Sequence, residues 1–155
     1  MQNKNNKNRL AFALSPPMLL LRAHESVVLQ YRPVLRRHGV NEAQWRVLRV
    51  LSEVDAITAS DLASRANLLP PSLSRIMPVM ESRGWLRRSS NAQDQRQSLV
   101  SLGASGKSLL ARAMPDVTAA HAAMSSAFGK ERLERLLQEL QALHSLLAER
   151  RLTED

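Results

Sequence analysis

Residues 61–88 read DLASRANLLPPSLSRIMPVMESRGWLRR. DLASRANLL is a short helix opened by Ser60 and Asp61. Pro70 and Pro71 stop it and restart the chain, because proline suits the first turn of a helix and not its interior. The second segment, PSLSRIMPVMESRG, puts Leu73, Ile76, Met77 and Met80 on one face at helical spacing, with Ser74, Arg75, Pro78 and Ser82 opposite. Gly84 closes it. Two short strands follow, around WLRR and around QSLVSL at 97–102, joined by the polar loop SSNAQD. A period-2 run this short cannot build a sheet alone. Two short helices on a tight turn, followed by a basic hairpin, make a winged helix-turn-helix. The fold expected is mainly α with a small β-hairpin.

Outward from this stretch the chain is helical on both sides. Residues 17–38 carry Leu20, Val27, Tyr31, Val34 and Leu35 on one stripe, with Arg22, Glu25, Arg32 and Arg36 opposite. Pro33 predicts a kink there and Gly39 an end. Asn41 with Gln44 has the spacing of a capping box and opens a helix over EAQWRVLRVLSEV, 42–54. ITA at 57–59 suits a small edge strand. Beyond the hairpin an Ala-rich helix runs from Ala104 to about Phe128 with Pro115 inside it. A last helix, KERLERLLQELQALHSLLAER, carries Leu133, Leu136, Leu137, Leu140, Leu143 and Leu147 at 3-4 spacing. The organisation expected is a disordered basic tail at 1–16, a winged helix-turn-helix domain at 41–103, and a helical region formed by 17–40 and 104–152. The leucine stripes of that last region need a partner.

The chain has 155 residues, enough for one core and an oligomerisation region. It has no cysteine, which excludes disulfides, thiolate zinc sites and cysteine redox switches. Its apolar runs are too short to span a bilayer. The opening MQNKNNKNR resembles the start of a signal peptide. Pro16, Pro17 and the His24-Glu25 pair interrupt the apolar segment behind it with no clear cleavage site, so the expectation is a tail on a cytoplasmic protein. Twenty-two Lys plus Arg against fourteen Asp plus Glu leave +8, which fits a polyanionic partner, either nucleic acid or an anionic membrane surface, with a merely basic soluble protein as the plain alternative. From Arg65 to Val100 six arginines face only Glu81 and Asp94, so the excess gathers around the hairpin.

The second helix of a helix-turn-helix enters the DNA major groove, burying one face and presenting polar groups on the other. Arg75 suits guanine O6/N7 or a phosphate, and Ser72 and Ser74 suit bases or phosphates. Arg87 and Arg88 stand at the base of the hairpin loop, with Gln95 and Arg96 near its end, and Arg65 adds a cation from the preceding helix. A guanidinium on a narrow hairpin fits the minor groove. Asp94, repelled by phosphate, suits a positioning role, in which it pairs with an arginine or caps the loop so that Arg96 is aimed. The plain alternatives are an amphipathic surface helix and a solvated charged turn.

Leu62-Ala63, Met80-Glu81, Gly84, Arg87-Arg88, Asp94-x-Arg96, Leu102 and Gly106 stand at the spacing of the MarR family of bacterial winged-helix transcription regulators, which residues 17–150 resemble. YRPVLRRHGVNEAQWRVLR, 31–49, is most similar to the branch that represses homoprotocatechuate (hydroxyphenylacetate) catabolism genes. The resemblance implies a homodimer built from the first and last helices, bound to a pseudo-palindromic double-stranded DNA operator. It also implies a small aromatic acid effector that changes the spacing of the two recognition helices. Three departures stand out. Gly103 occupies the place of a capping Thr, Pro78 lies within the recognition helix, and Ala23-His24-Glu25 replaces the branch's Ala-Arg-Glu.

For the effector, His24 and Tyr31 lie seven apart on the first helix and offer a cation or donor and a hydroxyl. Trp45 can stack on an aromatic ring, and Arg46 or Arg49 can pair with an acid. Core packing or surface charge explains each equally. SLGASGKS resembles a phosphate-binding loop, but the first glycine of that motif would be Ser101, and no second parallel strand follows. The four histidines lack metal-ligand spacing, so neither a metal nor a cofactor is expected. No nucleophile, base and orienting group come together, and an enzyme is not expected. The reading is a dimeric repressor of an aromatic-acid catabolism operon, released by its ligand. The alternative is a ligand-independent architectural or nucleoid DNA-binding protein. A membrane-surface role is disfavoured because the basic residues do not follow one amphipathic helix.

Overall fold

The computed structural model describes residues 12–90 and 98–152. The elements run α1 (Pro16–Arg37), α2 (Glu42–Leu51), β1 (Ile57–Thr58), α3 (Ala59–Arg65), α4 (Pro70–Ser82), β2 (Leu86–Ser90), β3 (Ser98–Leu102), α5 (Ala104–Phe128) and α6 (Lys130–Leu152). They form two compact units, one through Val117 and one from Thr118. Residues 1–11 of the expected tail lie outside the described residues, and Pro16 is already the first residue of α1.

In the first unit, helix starts are set by local side chains. Asn41 and Gln44 form the expected capping box: the Asn41 side chain accepts from the Gln44 amide at 2.9 Å, and the Gln44 side chain accepts from the Asn41 amide at 3.1 Å. Helix α2 ends at Leu51, three residues before the expected Val54. There the Ser52 hydroxyl and amide both bond the Arg49 carbonyl and close the last turn. Helix α3 starts at Ala59 because Thr58 caps it, its hydroxyl accepting from the Asp61 amide at 3.2 Å. The sheet is antiparallel in the order β1-β3-β2, with Ile57 opposite Val100 and Leu86 opposite Leu102. ITA is therefore the edge strand, narrowed to two residues. Leu48, Leu51, Leu62, Leu73, Met80, Leu86 and Val100 are the fully buried centre, drawn from α2, α3, α4 and the sheet.

Close backbone contact explains the departure at residue 103. The Gly103 amide donates to the Trp85 carbonyl at 2.9 Å, and a Cβ on Gly103 would sit 2.2 Å from the Gly84 carbonyl oxygen. A Thr cap has no room there. Gly106 is similarly constrained, its hypothetical Cβ falling 2.2 Å from the Trp85 carbonyl oxygen. These contacts seat the start of α5 against the turn that ends α4, where Gly84 holds φ at +66°.

The second unit holds the end of α5, a turn at Gly129 with φ +96°, and α6. Leu133 is buried, and Arg132 stacks over the Phe128 ring at 4.7 Å. Leu136, Leu137, Leu143, Leu146 and Leu147 are exposed. In the first unit Leu19, Leu20, Leu21, Val27 and Leu29 of α1 are exposed too, and only Val34 and Leu35 of that helix are buried.

Candidate DNA-binding face and ligand pocket

The α3–α4 turn is built by its own backbone. The Leu68 amide reaches the Ala63 carbonyl at 2.8 Å, and the Asn67 amide reaches the Ser64 carbonyl at 3.0 Å. Asn67 takes φ +50°, the left-handed conformation of a helix C-terminal cap. Helix α4 then begins with prolines at its first two positions, which removes two donors that would otherwise need partners. Leu73, Met77 and Met80 are buried with Ile76 partly so, while Ser72, Ser74 and Arg75 are exposed. Two apolar residues, Leu69 and Val79, are exposed as well. Helix α4 runs unbroken across Pro78, itself exposed.

The other basic residues divide by their partners. Arg65, Arg75 and Arg87 are exposed, with no ion pair among the described residues. Arg88 is exposed but its Nε lies 3.3 Å from the Glu81 carboxylate. Arg83 is structural: its guanidinium stacks 4.8 Å from the Trp85 ring centroid and donates to the Gly39 carbonyl at 3.3 Å. Asp94, Gln95 and Arg96 lie outside the described residues.

A second feature lies on the first unit between α1 and α2. A pocket of about 310 Å³ is lined by His24, Val28, Tyr31, Leu35, Glu42, Trp45, Arg46 and Val117. The α1 residues recur every three or four positions, and Glu42, Trp45 and Arg46 share one side of α2. Four of the residues singled out for a ligand, His24, Tyr31, Trp45 and Arg46, come together here. Arg49 does not join them: it pairs with Glu53 at 3.6 Å and points an Nη at the Met114 sulfur, 3.8 Å away. Glu42 was missed because a glutamate in a helix's first turn reads as a simple complement to the helix dipole. Its carboxylate instead bonds Arg32, which also reaches Glu25 at 3.4 Å, and these carboxylates raise the guanidinium's pKa above its ordinary value. Burial pushes the Tyr31 phenol above its ordinary value. Arg46 turns a donor toward the Asn67 carbonyl at 3.0 Å. The walls are chiefly apolar, with polar groups at a few points, as suits a small aromatic ligand.

A helix-turn-helix with an exposed polar face on its second helix, braced by a three-stranded wing, defines a winged-helix transcription regulator. The MarR family model matches residues 40–98. The chain is 35% identical over 127 residues to the homoprotocatechuate degradative operon repressor of Escherichia coli, covering 82% of this chain and 86% of the relative. It is 31% identical to the transcriptional regulator FarR of Neisseria gonorrhoeae, over 83% of this chain and 90% of that one. Among solved structures, NadR in complex with 4-hydroxyphenylacetate superposes with a TM-score of 0.72 at 31% identity, covering 83% and 92% of the two chains. The chain belongs to the MarR family, whose members are transcriptional regulators and not enzymes. No described helix is long and apolar enough to cross a membrane.

Proposed function

We propose that the protein is a cytoplasmic, homodimeric repressor of an aromatic-acid catabolism operon. It binds a pseudo-palindromic operator and is released by a phenolic or aromatic carboxylate. The observation that carries the DNA-binding half is α4, which buries Leu73, Met77 and Met80 and exposes Ser72, Ser74 and Arg75 directly after the turn. Arg75 and the two serines read the major groove. Arg65, Arg87 and Arg88 add salt-dependent attraction to phosphates; on the sequence reading alone, Gln95 and Arg96 are further DNA contacts, with a minor-groove role for Arg96 and a positioning role for Asp94. The effector half is supported by the pocket, whose lining includes the Tyr31 phenol, the Trp45 indole and Arg46 beside apolar side chains. That NadR is seen with 4-hydroxyphenylacetate supports the same ligand class.

The test is a gel-shift titration on DNA upstream of the protein's own gene, repeated with a panel of phenolic and aromatic acids including 4-hydroxyphenylacetate. The expected result is a specific complex at moderate salt, dissolved by at least one acid. A complex with no sequence preference would favour the architectural alternative. A specific complex indifferent to every acid would remove only the effector.

A further inference from the structure

Arg46 belongs to two sites at once. It lines the pocket, and its Nη1 donates to the main-chain carbonyl of Asn67, 3.0 Å away in the α3–α4 turn. Asn67 is the only described non-glycine residue with positive φ. Its amide is already engaged with Ser64, and its carbonyl lies beyond the end of α3, where no helical amide serves it. Helix α4 begins three residues later, so whatever steadies this carbonyl steadies the point from which the recognition helix departs. Glu42, the one carboxylate lining the pocket, bonds Arg32, which leaves the Arg46 guanidinium on a neutral acceptor.

We propose that Arg46 is a clasp: in the ligand-free protein it holds the helix-turn-helix turn through the Asn67 carbonyl, and the carboxylate of an aromatic acid in the pocket draws it away. The clasp rests on the pocket being the effector site. A carboxylate outbids a peptide carbonyl because both partners are then charged, and a guanidinium can engage it through two parallel bonds. The acid therefore favours the state in which the turn is released, and operator DNA favours the state in which it is held. That difference in affinity between the two states is what allows a ligand to shift the equilibrium. The coupling is reciprocal, so bound operator weakens acid binding by the same factor.

The experiment uses the full chain and its Arg46→Met and Arg46→Lys variants, with 4-hydroxyphenylacetate as the probe. Operator affinity is measured without probe and at saturating probe, and probe affinity is measured by calorimetry on the DNA-free protein. Removing the clasp is expected to weaken probe-free operator binding of Arg46→Met roughly tenfold, within the usual range of site-to-site couplings. Saturating probe should then cause that variant little further loss, while wild type loses about the same factor. Arg46→Lys, which keeps the charge but not the fork, should fall between the two. It carries the comparison if Arg46→Met does not retain the helical circular dichroism of the wild type. The clasp is overturned if both variants bind operator like wild type without probe, or if saturating probe releases them by the full wild-type factor. In either case measurable probe binding to wild type leaves the pocket reading standing. Wild-type protein that binds no probe overturns the pocket reading and the competition with it.

Discussion

Arg75 and Arg88 belong to one basic cluster of the sequence, but they differ in their partners as well as in their elements. Arg75 is exposed on α4 without an ion pair among the described residues, whereas Arg88 lies 3.3 Å from Glu81. A guanidinium that must leave a carboxylate to meet DNA returns less of its interaction energy. Arg75→Ala is therefore expected to cost about 1–3 kcal/mol of operator binding and to relax base preference at its position. Arg88→Ala should weaken specific and nonspecific DNA alike, and by less. Quantitative footprinting on operator variants separates the two, and an equal, sequence-blind loss would remove Arg75 from base reading. Asp116 gives a prediction of another kind. Its carboxylate accepts from or pairs with His38 at 2.9 Å, tying the end of α1 to α5, with Arg37 3.6 Å away. The bond to His38 and then the charge of Arg37 hold its pKa below the ordinary carboxylate value. A carboxylate depressed in the folded state adds stability above its unfolded value of about 3.9, lost as pH falls through the folded value. Asp116→Asn should thus be less stable than wild type in urea at pH 6, with the two curves converging below pH 4. A gap that persists at low pH would assign the effect to packing instead.

At the scale of elements, the sequence was most legible where structure depends on near neighbours. The Asn41–Gln44 capping box, the two prolines opening α4 and the buried stripe of Leu73, Met77 and Met80 all follow from spacings of a few residues. The pocket's α1 wall was legible for the same reason, as a stripe containing Tyr31. What escaped depends on distant partners. Spacing on α2 leaves Arg46 and Arg49 equally eligible for a ligand, and only the packed fold turns one toward Asn67 and the other toward Met114 and Glu53. Nor could sequence foresee that Gly84 and Trp85 would crowd out a Thr at 103. Pro78 is legible but unresolved by reading alone. It lacks the amide that would serve the Ser74 carbonyl, yet α4 passes through it unbroken. Pro78→Ala supplies that donor and should raise the thermal midpoint, the gain bounded by the roughly 3 kcal/mol that separates the two residues in a helix interior. If the proline's bend fits α4 to its groove, the same variant binds operator several-fold more weakly despite its stability. A more stable variant with unchanged affinity would make the bend incidental to recognition.

For the whole molecule, the decisive quantity is apolar surface that one chain leaves in water. Leu136, Leu137, Leu143, Leu146 and Leu147 are exposed on α6, and Leu147 alone is 49% accessible. In the other unit Leu19, Leu20, Leu21, Val27 and Leu29 are exposed on α1. Isolated surface leucines need no explanation, but contiguous apolar patches on soluble proteins mark interaction sites. A second copy of the same chain is the partner that would also give two recognition helices for a two-fold operator. In the proposed homodimer, two charges placed in that surface should separate the copies without touching the core, because Leu143 and Leu147 are exposed and Leu133 is the buried residue among the described residues of α6. The Leu143→Glu, Leu147→Glu double variant is therefore expected to keep its helical signal and to sediment as a monomer. Operator affinity should fall by about 10²–10⁴, the advantage of holding two half-sites at once. Arg75→Ala serves as the contrast, since it should weaken DNA binding while remaining dimeric. A double variant that stays dimeric would move the interface away from this face of α6. A monomer that still bound the full operator with wild-type affinity would show that one copy suffices, and the two-half-site reading would fail.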